Sequence, residues 1–239
     1  MNQIDLNSLG DKWLSAKKQR MQNLLKIAFP DEALYREIML SLGYPKNKIN
    51  FLELALMLPY FEIRKLEDRE TIEKALLYRG GFINERDGLP SDFDFSLRMS
   101  KTKWEYGGIR PANFPEKRIK GISYLLVTSI SDGITNLFYT RIKSQVNGSN
   151  PKTALKNIMD FEGIGIQRKE EMFFNIVLPF FMVFTEDVEC KKFLNFLFEN
   201  HPPLQENSLI KLFAKKYPEK TITSTKEHMG AIFIMKHQS

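Results

Sequence analysis

Apolar residues return at helical spacing along the whole of this chain, and the clearest stripe is Ile119, Ile122, Leu126 and Ile130, each three or four residues from the last. Alternating β-branched runs bounded by turn residues are almost missing. The pattern predicts an all-α fold, a single multi-helix orthogonal bundle of about ten helices over residues 1–239, with any seam near 84–90. A first helix is expected near Asp11 to Ala28, with Trp13, Leu14, Met21, Leu24 and Leu25 on its apolar side. Pro30 opens a second that ends at Gly43, and Asn50 with Glu53 reads as a capping box for a third. Further helices are expected near Arg69 to Arg79, stopped by Gly80-Gly81, and near Ser91 to Tyr106, stopped by Gly107-Gly108. Asn113 followed by Glu116, with Pro115 between them, reads as another capping box, opening the helix that carries the stripe. Beyond it, helices are expected near Gly133 to Gln145 and Pro151 to Phe161, separated by the loop-like Asn147-Gly-Ser-Asn150, with Asn150 as cap and Pro151 as first position. Met172 to Phe184 reads as a buried helix, followed by Asp187 to Glu199, Glu206 to Tyr217 and Ser224 to Lys236.

Composition adds bounds to this outline. With 239 residues and 43% hydrophobic side chains the chain has enough apolar material for a core of its own. The apolar run from Met172 to Phe184 carries Asn175 and Pro179 and is too short to cross a bilayer. Met1 to Gly10 has neither the basic nor the apolar region of a signal peptide, and Cys190 is the one cysteine, so a reducing, cytoplasmic setting without membrane association is expected.

Charge sharpens the picture further. The net charge of +6 favours anionic partners. Arg98, Lys101, Lys103, Arg110, Lys117, Arg118 and Lys120 face only Glu105 and Glu116 in their stretch, whereas acids outnumber bases between Glu62 and Asp94. Lys117, Arg118 and Lys120 fall in the first turns of their predicted helix, where cations oppose the macrodipole and an anionic ligand using the unpaired N–H groups would compensate them. An internal role is the stronger alternative: Asn113 caps, Pro115 starts the helix and Arg110 pairs with a carboxylate inside the fold. Phe161-Glu-Gly-Ile-Gly165, between two predicted helices, resembles a helix-hairpin-helix, in which Gly163 and Gly165 let backbone N–H groups approach a phosphate and Arg168 and Lys169 contact the backbone without reading sequence. Lys169 replaces the usual small residue, Glu162 adds a negative charge, and a plain helical corner explains the same glycines.

His201, His228 and His237 lack the spacing and the Cys or acidic companions of a metal site, so no metal and no cofactor is expected. Phosphate-loop, nucleophile-elbow and zincin motifs are missing, and with them any visible catalytic constellation. The reading is therefore of a non-catalytic module that binds an anionic partner, nucleic-acid backbone first and a protein partner second.

Arg110-Pro-Ala-Asn-Phe-Pro-x-x-Arg-Ile119 resembles the signature of a bacterial family of unknown function, with Pro111, Asn113, Pro115 and Glu116 as its structural positions. Leu34-Tyr35, Leu42-Gly43-Tyr44-x-x-Asn47, Phe51-Leu-x-Leu-Ala55 with Pro59, Ala75-Leu-Leu-x-x-Gly-Gly-Phe82, Trp104, Asn175-Ile-Val-Leu-Pro179 and Glu206-Asn207 resemble its other landmarks in the same order. The resemblance implies that this chain corresponds to the helical C-terminal half of longer members, whose N-terminal half looks like a metal-dependent nuclease core and is expected to be missing here. It also implies the second reading: the basic surface docks a separately encoded nuclease-like or acidic polypeptide.

Overall fold

The computed structural model describes residues 4–43 and 46–237; Tyr44, one of the landmark residues above, lies outside them. In chain order the helices are α1 (Leu6–Leu25), α2 (Pro30–Leu42), α3 (Lys48–Met57), α4 (Tyr60–Ile63), α5 (Arg69–Arg79), α6 (Pro115–Thr128), α7 (Ile134–Gln145), α8 (Pro151–Ile158), α9 (Ile166–Met172), α10 (Leu178–Phe184), α11 (Val188–Asn200), α12 (Ser208–Lys216) and α13 (Thr225–His237). A π-turn, Phe173–Val177, joins α9 to α10, and 3-10 turns form at Lys101–Lys103 and Pro111–Asn113. The described residues contain no strand, and the fold is all-α.

The chain forms two compact units: residues 1–27, 140–159 and 166–239 make the first, and residues 28–139 with 160–165 make the second. Residues 84–90, the place the sequence left open for a seam in a single domain, lie inside the second unit.

In the first unit α1 packs along α13 and against α10. The α1–α13 crossing is close because glycines sit on both helices. A Cβ on Gly10 would strike the Lys226 carbonyl, and one on Gly230 would strike the Leu6 carbonyl. Phe173, Phe174, Phe180 and Phe181 are fully buried, so the apolar run is core, as its pattern predicts. Lys226 of α13 holds both Asp11 of α1 (2.9 Å) and Glu199 of α11 (3.2 Å).

In the second unit α2 packs on α3 and α5 on α6. Tyr60 ties α4 to the end of α6, its hydroxyl donating to the Ser129 carbonyl at 2.8 Å. Helix α5 starts and stops where the sequence predicts, with Asp68 accepting from Thr71 N–H (2.9 Å) at its start and Gly80 at its end.

Between α5 and α6 the expected helix over Ser91 to Tyr106 is replaced by irregular chain carrying one 3-10 turn. The cause is Arg79, 4% exposed, whose guanidinium donates to the carbonyls of Asp94 and Leu97. The Met99 N–H returns to the Arg79 carbonyl at 2.7 Å, and Asp94 turns its carboxylate onto the Ser96 N–H at 2.9 Å. Backbone groups that a helix would have paired internally are drawn onto α5 instead. Trp104 anchors the far end, its indole N–H donating to the Gly80 carbonyl at 2.7 Å and its ring packed between Phe51 and Phe82. A loop of this length with so little regular structure is uncommon outside functional regions.

Neither internal capping box forms. Asn50 lies within α3, not before it, and donates to the Lys103 carbonyl at 2.9 Å, while Asn47 brackets Glu105 through both its amide atoms. The box at Asn113 fails for a reason that bears directly on the site.

Candidate nucleic-acid interface

The chain enters α6 from a 3-10 turn. Pro111 and Pro115 each fix the φ of a first position, so Asn113 is taken into the 3-10 turn and Phe114 becomes the N-cap of α6. Phe114 has no side-chain acceptor, and α6 starts without a side-chain cap. Pro115 has no N–H, and the Arg118 N–H reaches back to the Phe114 carbonyl at 3.1 Å. The amides of Glu116 and Lys117 therefore have no intrahelical partner.

Both residues of the expected box are engaged elsewhere. Asn113 Oδ1 accepts from the Arg118 guanidinium. Glu116 accepts from the Tyr106 hydroxyl at 2.6 Å, and Tyr106 packs edge-on against Phe114 with ring centroids 5.0 Å apart. Burial, reinforced by the Glu116 carboxylate, pushes the Tyr106 phenol up, so it stays a donor at neutral pH. The one acid of the first turn of α6 is thereby directed at a tyrosine.

What remains at the helix start is positive. Arg110, Lys117 and Lys120 are exposed and make no ion pair with a described residue, whereas Arg118 is half-buried beside Asn113. Lys117 and Lys120, three residues apart, lie on one side of α6. Gly121 and Tyr124 continue that side by a further turn. There the segment 160–165 packs: the Gly163 carbonyl occupies the place a Cβ on Gly121 would take, and Gly163, at φ +78°, lies against the Tyr124 ring. Phe161 and Ile164 anchor the segment by burial, and Arg69 of α5 covers the Tyr124 ring at 4.7 Å.

The structure thus brings Gly163 together with the lysine face of α6. Close packing on Gly121 accounts for Gly163, and a Cβ on Gly165 would meet open space. Asp160 and Glu162 are exposed beside them. Arg168 and Lys169 belong to the first unit, where Arg168 holds Glu171 at 2.8 Å and Lys169 is half-buried.

The described residues hold no group of three or more His, Cys, Asp and Glu placed to bind a metal, and no described helix is long and apolar enough to cross a membrane. Cys190 is buried, and burial pushes its thiol up, away from the thiolate.

An all-helical protein with an uncapped, basic helix start is as far as the fold and site define a class. The profile of a family described as "Protein of unknown function (DUF2851)" matches residues 4–205, and the chain belongs to that family. Neither a curated protein nor a solved structure matches it.

Proposed function

We propose that this chain is a helical binding module whose second unit holds the phosphate backbone of a nucleic acid at the start of α6. The observation that carries this reading is the uncapped N-terminus of α6, with the Glu116 and Lys117 amides unpaired within the helix and Arg110, Lys117 and Lys120 exposed beside it. Cations at that end of a helix cost a few tenths of a kcal/mol each, and a phosphate offsets that cost while accepting from the amides. Contacts of this kind position a backbone without reading bases, so sequence preference is expected to be small.

Fluorescence anisotropy of a labelled short duplex tests it. Each neutralised phosphate contributes about −0.9 to the log–log dependence of affinity on salt, so three cations give a slope near −3. Replacing Arg110, Lys117 and Lys120 together with alanine should flatten that slope nearly to zero with thermal stability almost unchanged, because exposed charges contribute at most about 0.5 kcal/mol to folding. Absence of binding at low salt, or a triple variant that binds like the wild type, contradicts the proposal.

A protein partner is the second reading, and one feature of the same unit favours it. Ile49 and Leu56, two turns apart on α3, are 68% and 53% exposed, and Phe61 of α4 is 60% exposed, with Lys46, Lys48 and Lys65 exposed nearby in the chain. An acidic or nuclease-like polypeptide would meet apolar and basic groups there. A Leu56→Glu variant that loses a co-purifying polypeptide yet keeps wild-type affinity for DNA would favour this reading over the first.

A further inference from the structure

The first unit contains a cleft of about 180 Å³ whose walls carry a different chemistry. Its placement follows from Pro179. Proline has no N–H and would clash with the carbonyl four residues back, that of Asn175, so the helix widens there: the Leu178 N–H bonds to the Phe173 carbonyl, five residues away. Asn175, in the middle of this π-turn, lines the cleft. Its amide nitrogen donates to the Glu171 carbonyl at 2.9 Å, which leaves the amide oxygen as an acceptor. Turns of this kind interrupt helices most often at functional positions.

Two polar rings in the walls lack a hydrogen-bond partner among the described residues. Trp13 is 5% exposed and His228 is 2% exposed, both line the cleft, and neither the indole N–H nor the imidazole hydrogen-bonds a described residue. Their ring nitrogens are not sealed from solvent, so water in the cleft, or a ligand that displaces it, can meet them. Phe198 stacks on Trp13 at 5.9 Å and Lys17 lies over the ring at 5.5 Å, so the indole presents its edge rather than a face. Burial pulls His228 down to about 4, so at neutral pH the ring carries one donor and one acceptor nitrogen.

Gln205 and Asn207 add two carboxamides, and Asn207, whose oxygen caps α12, keeps its amide nitrogen as a donor. The charged residues of the lining are already engaged: Glu171 holds Arg168, and Lys236 has a partner of its own. Leu204, Met229 and Ile232 complete the walls with aliphatic surface. The polar set is therefore neutral and mixed in donors and acceptors, in a space below the roughly 300 Å³ at which drug-sized pockets begin. The Gln205 carboxamide, neither of whose polar atoms hydrogen-bonds a described residue, can pair two-pronged with the donor–acceptor edge of a base, Asn175 and Asn207 can each add one hydrogen bond, and aliphatic walls accept the faces of a flat ring.

We propose that this cleft binds a small uncharged heterocycle with amide-type hydrogen-bonding edges, of the size of one nucleobase. The site is independent of the α6 start and stands whether or not that start binds a backbone. Titration calorimetry of the intact chain with adenosine, guanosine, cytidine and uridine tests it. Saturable binding of at least one nucleoside is expected, weakened about 5–10-fold by Gln205→Ala, the loss of one neutral hydrogen bond, and more by His228→Leu. Gln205 is exposed, so its variant keeps the test valid even where His228→Leu fails to fold. The Arg110, Lys117 and Lys120 triple variant should bind the nucleoside as the wild type does. No saturable heat with any of the four, or equal affinity in wild type and Gln205→Ala, overturns the proposal; the cleft then holds only water.

Discussion

Helix α12 in the first unit and helix α6 in the second begin in opposite ways. Asn207 closes the start of α12, accepting from the Leu209 and Ile210 amides at 2.9 and 3.1 Å, and Lys215 and Lys216 stand in its last turn, where cations suit the macrodipole. Helix α6 has no side-chain cap, its first-turn acid is turned to Tyr106, and Lys117 and Lys120 stand where cations oppose the dipole. Helix stability alone accounts for Asn207 at the start of α12 and for Lys215 and Lys216 at its end. It does not account for the charges of α6, where the proposed anion would supply the missing compensation.

The largest effect expected from breaking this contrast is in the support behind the α6 start. Arg79→Ala leaves the carbonyls of Asp94 and Leu97 without their donor and releases the irregular chain that leads to α6. The cost should be about 3 kcal/mol or more in urea unfolding. A loss below about 1 kcal/mol would show that this chain is held by other contacts.

A smaller pair of effects compares the two starts directly. Asn207→Ala should lower stability by about 1 kcal/mol, as loss of a true cap does. Lys117→Glu should instead raise it by a few tenths of a kcal/mol, because an acid there suits the dipole, while weakening DNA binding. A Lys117→Glu variant that is clearly destabilised would mean that Lys117 serves the fold, and the contrast between the helices would disappear.

Much of the fold was legible because local signals agreed with one another. Arg69 to Arg79 is bounded by an aspartate cap and a glycine, and Asn150-Pro151 starts α8 with Asn150 accepting from the Thr153 N–H at 3.0 Å. Sequence signals misled where a competing group, near or distant, outweighed the local pattern. Residues 91–106 have a helical pattern, but one buried arginine competes for their carbonyls. Asn113 has the spacing of a cap, but two flanking prolines shift the helix start past it. Of the basic residues to which charge and position pointed, Arg110, Lys117 and Lys120 are exposed, whereas the inward turn of Arg118 depends on Asn113 having been freed from capping. The packing of Gly163 on Gly121 and the cleft beside Asn175 each join residues far apart in the chain, which no local pattern encodes. The proline that widens the helix at Asn175 was visible, although its consequence was not.

The most direct measurement is of the amides at the start of α6, by ¹⁵N-labelled NMR titration of the intact chain with a short duplex at low salt. The account predicts the largest shift changes at the Glu116 and Lys117 N–H, reversed by added salt, with the Leu209 and Ile210 amides, already held by Asn207, unmoved. Perturbations that bypass Glu116 and Lys117, or none at a concentration where the duplex is bound, would contradict it.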